Sequence, residues 1–164
     1  RPIRHKNLAA IRLDRHLVHT GDGYRLAFGA DEIKTHRAYD QPVPKELAPY
    51  LQPYINHHRP ALLGGGTTSA LWVSCQGRAL SYMGVAERIK AATHRMLGEA
   101  VPPHAFRHCA ATTIALDAPN EVWCAQGVLH HRQHRTAERH YQMAKSVTAA
   151  RRYQNVVGRR RGGR

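Results

Sequence analysis

Two clusters concentrate the side chains that could handle a phosphate group. His104-Ala105-Phe106-Arg107 sets an imidazole and a guanidinium at i and i+3, on one face of a helical turn. Pro102 and Pro103 directly ahead fix a helix start, where backbone N–H groups also favour an anion. Taken alone, His-x-x-Arg is a common pair whose ordinary use is structural hydrogen bonding. The second cluster runs His130-His131-Arg132-Gln133-His134-Arg135-Thr136-Ala137-Glu138-Arg139-His140-Tyr141 and ends on a phenol. A tyrosine hydroxyl titrates at about 10, and nearby positive charge favours the phenolate that a nucleophile needs. Zinc binding is the rival chemistry, since His130 and His134 stand at i and i+4. Neither Glu138 nor Cys124 completes a ligand set at suitable spacing, so a metal is not expected.

Charge points to the same class of partner. The chain of 164 residues carries 25 Lys and Arg against 11 Asp and Glu, a formal net charge of +14. From His104 onward there are 11 Lys and Arg against three acidic residues, which favours a phosphate-binding surface over a merely solvated face. A hydrophobic content of 42% is enough for a folded core and argues against wholesale disorder. No apolar run approaches the ~20 residues of a membrane helix, and no secretory leader pattern is visible. Three cysteines without paired spacing (Cys75, Cys109, Cys124) suggest thiols in a reducing compartment, used for packing. The opening Arg1-Pro2-Ile3, lacking Met and leading straight into a helical pattern, suggests a piece of a longer protein.

The elements that must position these clusters are read from apolar spacing. Leu8, Ile11 and Leu17 suggest a helix over 4–17, with Asn7 and Arg12 off its stripe. Thr20-Gly21-Asp22-Gly23 is turn chemistry, and Tyr24, Leu26 and Phe28 alternate as a half-buried strand. After a break at Gly29-Ala30-Asp31, Ile33-Lys34-Thr35 resumes an extended segment ending near Pro42-Val43-Pro44. A helix opens at Pro44-Lys45-Glu46 with Leu47, Tyr50, Leu51, Tyr54 and Ile55 at helical spacing, bent or shortened by Pro49 and Pro53. Gly64 to Thr68 connects, Leu71 to Ser74 is extended, and Gln76-Gly77 turns. A helix spans 81–98 with Tyr82, Val85, Ile89, Ala92 and Met96 on its apolar side, and another runs from Pro102-Pro103 through Leu116. Further helices are expected over 122–128 and 136–156. Phe28, Trp72 and Trp123 read as core residues, while His16, His19, His57, His58 and His94 have no assignable role. The fold class is α+β, mainly α-helical with a small antiparallel sheet.

In order along the chain, five of these segments resemble motifs of the tyrosine site-specific recombinases of the phage-integrase family. Arg4-His5-Lys6-Asn7-Leu8-Ala9-Ala10-Ile11-Arg12 resembles R-x-x-E/N-L-x-x-L-R. Ile33-Lys34-Thr35 ahead of Val43-Pro44 is similar to the family's hairpin lysine and V-P strand end. Leu71 to Ser74 with Gly77-Arg78-Ala79-Leu80-Ser81 resembles the piece before the second box. His104-Ala105-Phe106-Arg107-His108 resembles H-x-L-R-H, and Leu129-His130-His131 through Tyr141 resembles L-G-H…T-T-E-R-H-Y.

The resemblance implies a role for each matched position. Arg4 and Arg107 would clamp the non-bridging oxygens of a scissile phosphate. Tyr141 would attack phosphorus, Lys34 would protonate the departing 5′ oxygen, His104 would assist proton transfer and His131 would donate to a phosphate oxygen. It also implies that residues 1–157 form an N-terminally truncated catalytic domain of the DNA breaking-rejoining fold, with 158–164 a basic disordered tail. The partner would be double-stranded DNA, bound by a homo-tetramer that exchanges C-terminal helices, cytoplasmic and associated with the nucleoid of a bacterium or phage. The sequence departs from the family pattern at His130, where glycine is usual, and at Ala137 in place of the second threonine. The spacing to Tyr141 favours His131 over His130, and Tyr153 lies too far beyond the motif to replace Tyr141. Type IB topoisomerase-like relaxation and a non-catalytic DNA-binding remnant are the alternative readings.

Overall fold

The computed structural model describes residues 3–21 and 23–118. They fall into two compact units: Arg4–Pro103 is one, and Ile3 with residues 104–118 belongs to the other. The expected helices over 122–128 and 136–156, the 158–164 tail, His131, Tyr141, Trp123 and Cys124 lie outside the described residues.

The Arg4–Pro103 unit begins with the helical turn α1 (His5–Ala9). This is far shorter than the helix expected over 4–17. Asp14 takes a left-handed φ of 62° and reverses the chain, a conformation Asp tolerates better than most residues. Leu17 therefore starts a strand rather than closing a helical stripe. Three antiparallel strands come next, β1 (Leu17–Thr20), β2 (Gly23–Phe28) and β3 (Tyr39–Pro42), in the order β1-β2-β3. Leu17 pairs with Leu26 and Thr20 with Gly23, so the Thr20–Gly23 turn falls where expected. In the second pair Phe28 faces Tyr39 and Arg25 faces Pro42. The expected alternation on β2 holds, with Phe28 buried and Arg25 exposed.

Residues 29–38, which join β2 to β3, differ from expectation. Ile33-Lys34-Thr35 is not extended but turned, closed by Ile33 N–H to Ala30 O and by His36 N–H to Ile33 O at 2.8 Å. Three residues with glycine and alanine just ahead of them carry too little apolar alternation to sustain a strand, and local turn bonds win.

A continuous helical run then changes pitch three times. It passes from a 3₁₀ turn (Lys45–Leu47) to α2 (Ala48–Pro53), a π-helical stretch (Tyr54–His58) and α3 (Arg59–Leu63). Pro53 lacks the N–H that an α-ladder needs, and the wider π-turn begins directly after it. The extended 70–73 segment bridges Arg12 through Ala70 and Ala79 through Val73. Helix α4 (Tyr82–Leu97) has both ends written in its sequence: Ser81 Oγ accepts from Gly84 N–H, and Gly98 closes it at φ 78°. Its apolar side is only partly used, since Val85 is buried while Tyr82 and Met96 are exposed. The core of this unit holds Ile11, Leu17, Phe28, Ile33, Leu71, Val73, Val85 and Ala86. Trp72 is half-buried and its Nε1 donates to Leu8 O at 2.8 Å.

The described part of the second unit is α5 (Ala105–Asp117), where Ala111 and Ala115 are buried. Cys75 and Cys109 are exposed, so neither is the packing residue expected of it. Among the described residues no helix is long and apolar enough to cross a membrane. The described chain is rich in helix with one small antiparallel sheet, compatible with an α+β fold.

Candidate functional site

Arg4 stands immediately ahead of α1 in an extended conformation, φ −66° and ψ 143°, and its carbonyl accepts from Leu8 N–H at 2.9 Å. Its side chain is half-buried. One turn on, Asn7 is buried, and its Nδ2 donates to the Glu32 carbonyl at 3.0 Å. A buried amide without such a partner would cost about 1–3 kcal/mol, so this bond fixes how α1 meets the 29–38 connection. Lys34 lies two residues beyond Glu32 and is exposed. The helix that Arg4 opens and the connection that carries Lys34 are thus tied within one unit.

Glu32 is held by its side chain as well. Gly29 N–H donates to Oε2 at 3.0 Å, while Arg15 Nη2 and His16 Nε2 approach Oε1 at 2.8 and 3.0 Å. Hydrogen bonds from the Gly29 amide and then from His16 keep the Glu32 carboxyl below the usual carboxylate range, with burial opposing them. His16 is itself buried and stacks on Phe28 with ring centroids 4.5 Å apart. Beside Arg4, the His5 ring lies 3.8 Å from that of Tyr82. Burial pushes the His5 pKa down, against a hydrogen bond to the Tyr82 backbone.

In the other unit, His104 is the N-cap residue of α5 and Arg107 N–H donates to His104 O at 3.1 Å. His104 is exposed and Arg107 half-buried. The i, i+3 relation inferred from the sequence is therefore one turn of real helix. His104 and His108 meet edge to face at 6.2 Å. His131 and Tyr141 lie outside the described residues. The described members of the expected set fall into two pairs, Arg4 with Lys34 in one unit and His104 with Arg107 in the other. Among the described residues no group of three or more His, Cys, Asp or Glu could hold a metal ion. Guanidinium and ammonium groups set on helix starts and tight turns suit the oxygens of a phosphate, as fork and point charge respectively.

Sequence reasoning missed Glu32 and found no role for His16; Asn7 was matched to the E/N position of the first motif but, lying off the apolar stripe, was given no role. A polar residue one turn after a candidate arginine, three residues before the apolar Ala10-Ile11 pair, was the available signal for Asn7. His16 and Glu32 are 16 residues apart, and no local spacing announces their contact.

No family model matches the chain. Two curated proteins do, both named tyrosine recombinase XerD, from two strains of Staphylococcus epidermidis. Each is 29% identical over 137 residues, covering 83% of this chain and 45% of the relative. The chain therefore spans about half the length of the curated relatives it matches. Together the two matches support a family relationship between this chain and the tyrosine recombinases, enzymes of the recombinase and integrase type.

Proposed function

We propose that this chain carries the catalytic machinery of site-specific DNA recombination, breaking and rejoining strands through a 3′-phosphotyrosyl intermediate. The observation that supports this best is the Asn7 bond to Glu32 O, because it joins an arginine-bearing helix start to a hairpin connection with an exposed lysine. Two cations distant in sequence then share one frame, as a phosphoryl-transfer site requires.

In this reading the Tyr141 oxygen attacks phosphorus and the P–O5′ bond breaks. Lys34 gives a proton to the departing O5′, and His104 takes the proton leaving the phenol. Arg4 and Arg107 neutralise the charge that grows on the non-bridging oxygens, and His131 donates to one of them. The phosphotyrosyl bond conserves the phosphodiester energy, so a second 5′-hydroxyl can reverse the sequence on a new strand. Such a cycle consumes no nucleotide and needs no metal. Double-stranded DNA is the substrate, assembly on it is tetrameric, and the segment beyond Tyr141, with Met143, Val147, Tyr153, Val156 and Val157, is donated between protomers.

A suicide DNA substrate, nicked so that the short fragment bearing the freed 5′-hydroxyl diffuses away, tests the reading. The chain should form a covalent adduct resistant to denaturation, and Tyr141→Phe should abolish it while DNA affinity stays nearly unchanged. Neutralising roughly five phosphates gives a log–log salt slope of about −4 to −5 for binding. A gel shift without any adduct would leave only the DNA-binding reading standing.

A further inference from the structure

We propose that His16 is a positioning residue for Lys34, acting through Glu32. The inference rests on reading Lys34 as the general acid and adds the residue that orients it.

The assignment comes from which His16 nitrogen holds the proton. Arg12 N–H is a donor with no alternative role, and it points at His16 Nδ1 at 3.0 Å. Neutral imidazole has one N–H, so accepting at Nδ1 puts the proton on Nε2. Nε2–H then donates to Glu32 Oε1 at 3.0 Å. When the ring takes a second proton, Nδ1–H has Ala10 O to donate to, also at 3.0 Å, and Nε2–H remains on Glu32. The clamp on Glu32 therefore survives in both protonation states, while the Nδ1 side exchanges one backbone partner for another.

Both backbone partners, Ala10 and Arg12, belong to the exit of α1. Asn7, inside α1, holds the carbonyl of Glu32, and His16 holds its carboxylate. Two attachments to one residue fix its rotation as well as its place. Beyond Glu32, Ile33 is buried and its carbonyl closes the turn with His36 N–H, so Lys34 leaves the backbone from a segment pinned on both sides. Gly29 N–H, a further donor to the carboxylate, lies within the same connection and moves with it. Without His16 the connection would be held to α1 chiefly at Asn7 and could swivel about that bond, carrying the Lys34 amine with it. Arg15, on the same Glu32 oxygen, is exposed and loses more to solvent screening than the buried imidazole.

The test uses the full chain and two suicide DNA substrates, one with the ordinary 5′ oxygen at the cut and one with sulfur replacing it. An alkyl thiolate leaves without a proton, its acid titrating at about 8.5, so loss of the general acid is masked on the sulfur substrate alone. Lys34→Ala should cleave the oxygen substrate far more slowly than the parent chain and recover on sulfur. His16→Ala and Glu32→Ala should show the same pattern with a smaller loss, on the order of 100-fold on oxygen, the scale of a misplaced group. His16→Gln, whose side-chain amide can still donate toward Glu32, should restore most of the oxygen rate and keeps the test open if the alanine variant does not fold. Equal slowing of both substrates by folded His16→Ala or, where that variant does not fold, by folded Glu32→Ala would mark a structural role and overturn the positioning proposal. Failure of sulfur to rescue Lys34→Ala would instead sink the general-acid reading on which it rests.

Discussion

Two stretches of irregular backbone in the Arg4–Pro103 unit are each held by a buried polar side chain, yet they are held to different ends. Arg59 is buried, and its guanidinium donates to Ala70 O at 3.1 and 2.8 Å and to Thr68 O. Tyr54 assists by donating to Leu71 O at 3.0 Å and accepting from Val73 N–H. Every one of these bonds ends on backbone, and what they fix is the extended piece that seats Leu71 in the core. Around the 29–38 connection the bonds from Asn7, His16, Arg15 and Gly29 converge on Glu32, two residues from an exposed lysine. The first arrangement satisfies carbonyls so that a core can close. The second fixes the backbone two residues from an exposed lysine. A buried charge by itself does not mark a site; what distinguishes the two is whether the network ends in the core or beside an exposed side chain.

The contrast between the regions breaks most visibly at Arg59. Arg59→Ala strands two carbonyls and should cost about 3 kcal/mol of unfolding free energy, measured by urea titration. The adduct yield per folded molecule should not change. Asn7→Ala should cost less stability, about 1–2 kcal/mol, and should slow cleavage of folded protein, the reverse balance. Ser81→Ala touches neither region. It removes the α4 cap and should cost about 1 kcal/mol with no effect on cleavage. Equal cleavage by folded Asn7→Ala and Ser81→Ala would erase the distinction between the two regions.

The smallest expected effect is in the pH dependence of stability. The Glu32 pKa is depressed in the folded chain, so its contribution is present above the ordinary carboxylate range and is lost as pH falls through the folded value. Urea midpoints should therefore fall more steeply on acidification for the parent chain than for Glu32→Gln. His5 acts in a higher window. Its folded pKa is also lowered, so the unfolded chain binds that proton first and stability declines once pH drops below about 6.5. His5→Phe should remove that upper decline, and identical pH profiles for parent and variant would contradict the burial argument.

Where local chemistry decided the outcome, the fold was legible from the residues. Ser81 and Gly98 bracket α4 to the residue, Pro102-Pro103 precede α5, and the alternation of Tyr24, Leu26 and Phe28 is β2. Expectation failed where a single backbone angle or a distant contact decided. The spacing of Leu8, Ile11 and Leu17 suits a helix, but Asp14 at φ 62° folds the chain back so that Ile11 O accepts from Leu71 N–H and Leu17 pairs with Leu26. The turn that carries Lys34 is closed by local backbone bonds, but Glu32 beside it takes partners from α1 and the bend after it as well as from Gly29. Of the candidate site, the His104–Arg107 turn was readable because i and i+3 are neighbours on any helix. The Asn7–Glu32–His16 frame was not, since hydrogen bonds spanning 25 and 16 residues leave no periodic trace.

The most direct test of the central claim is to locate the covalent bond. The adduct formed with a suicide substrate should be digested with nuclease and protease, and the residue carrying the nucleotide mass read by tandem mass spectrometry. The added mass should sit on Tyr141. A nucleotide on Tyr153, or on any serine or histidine, would contradict the proposed strand-transfer chemistry.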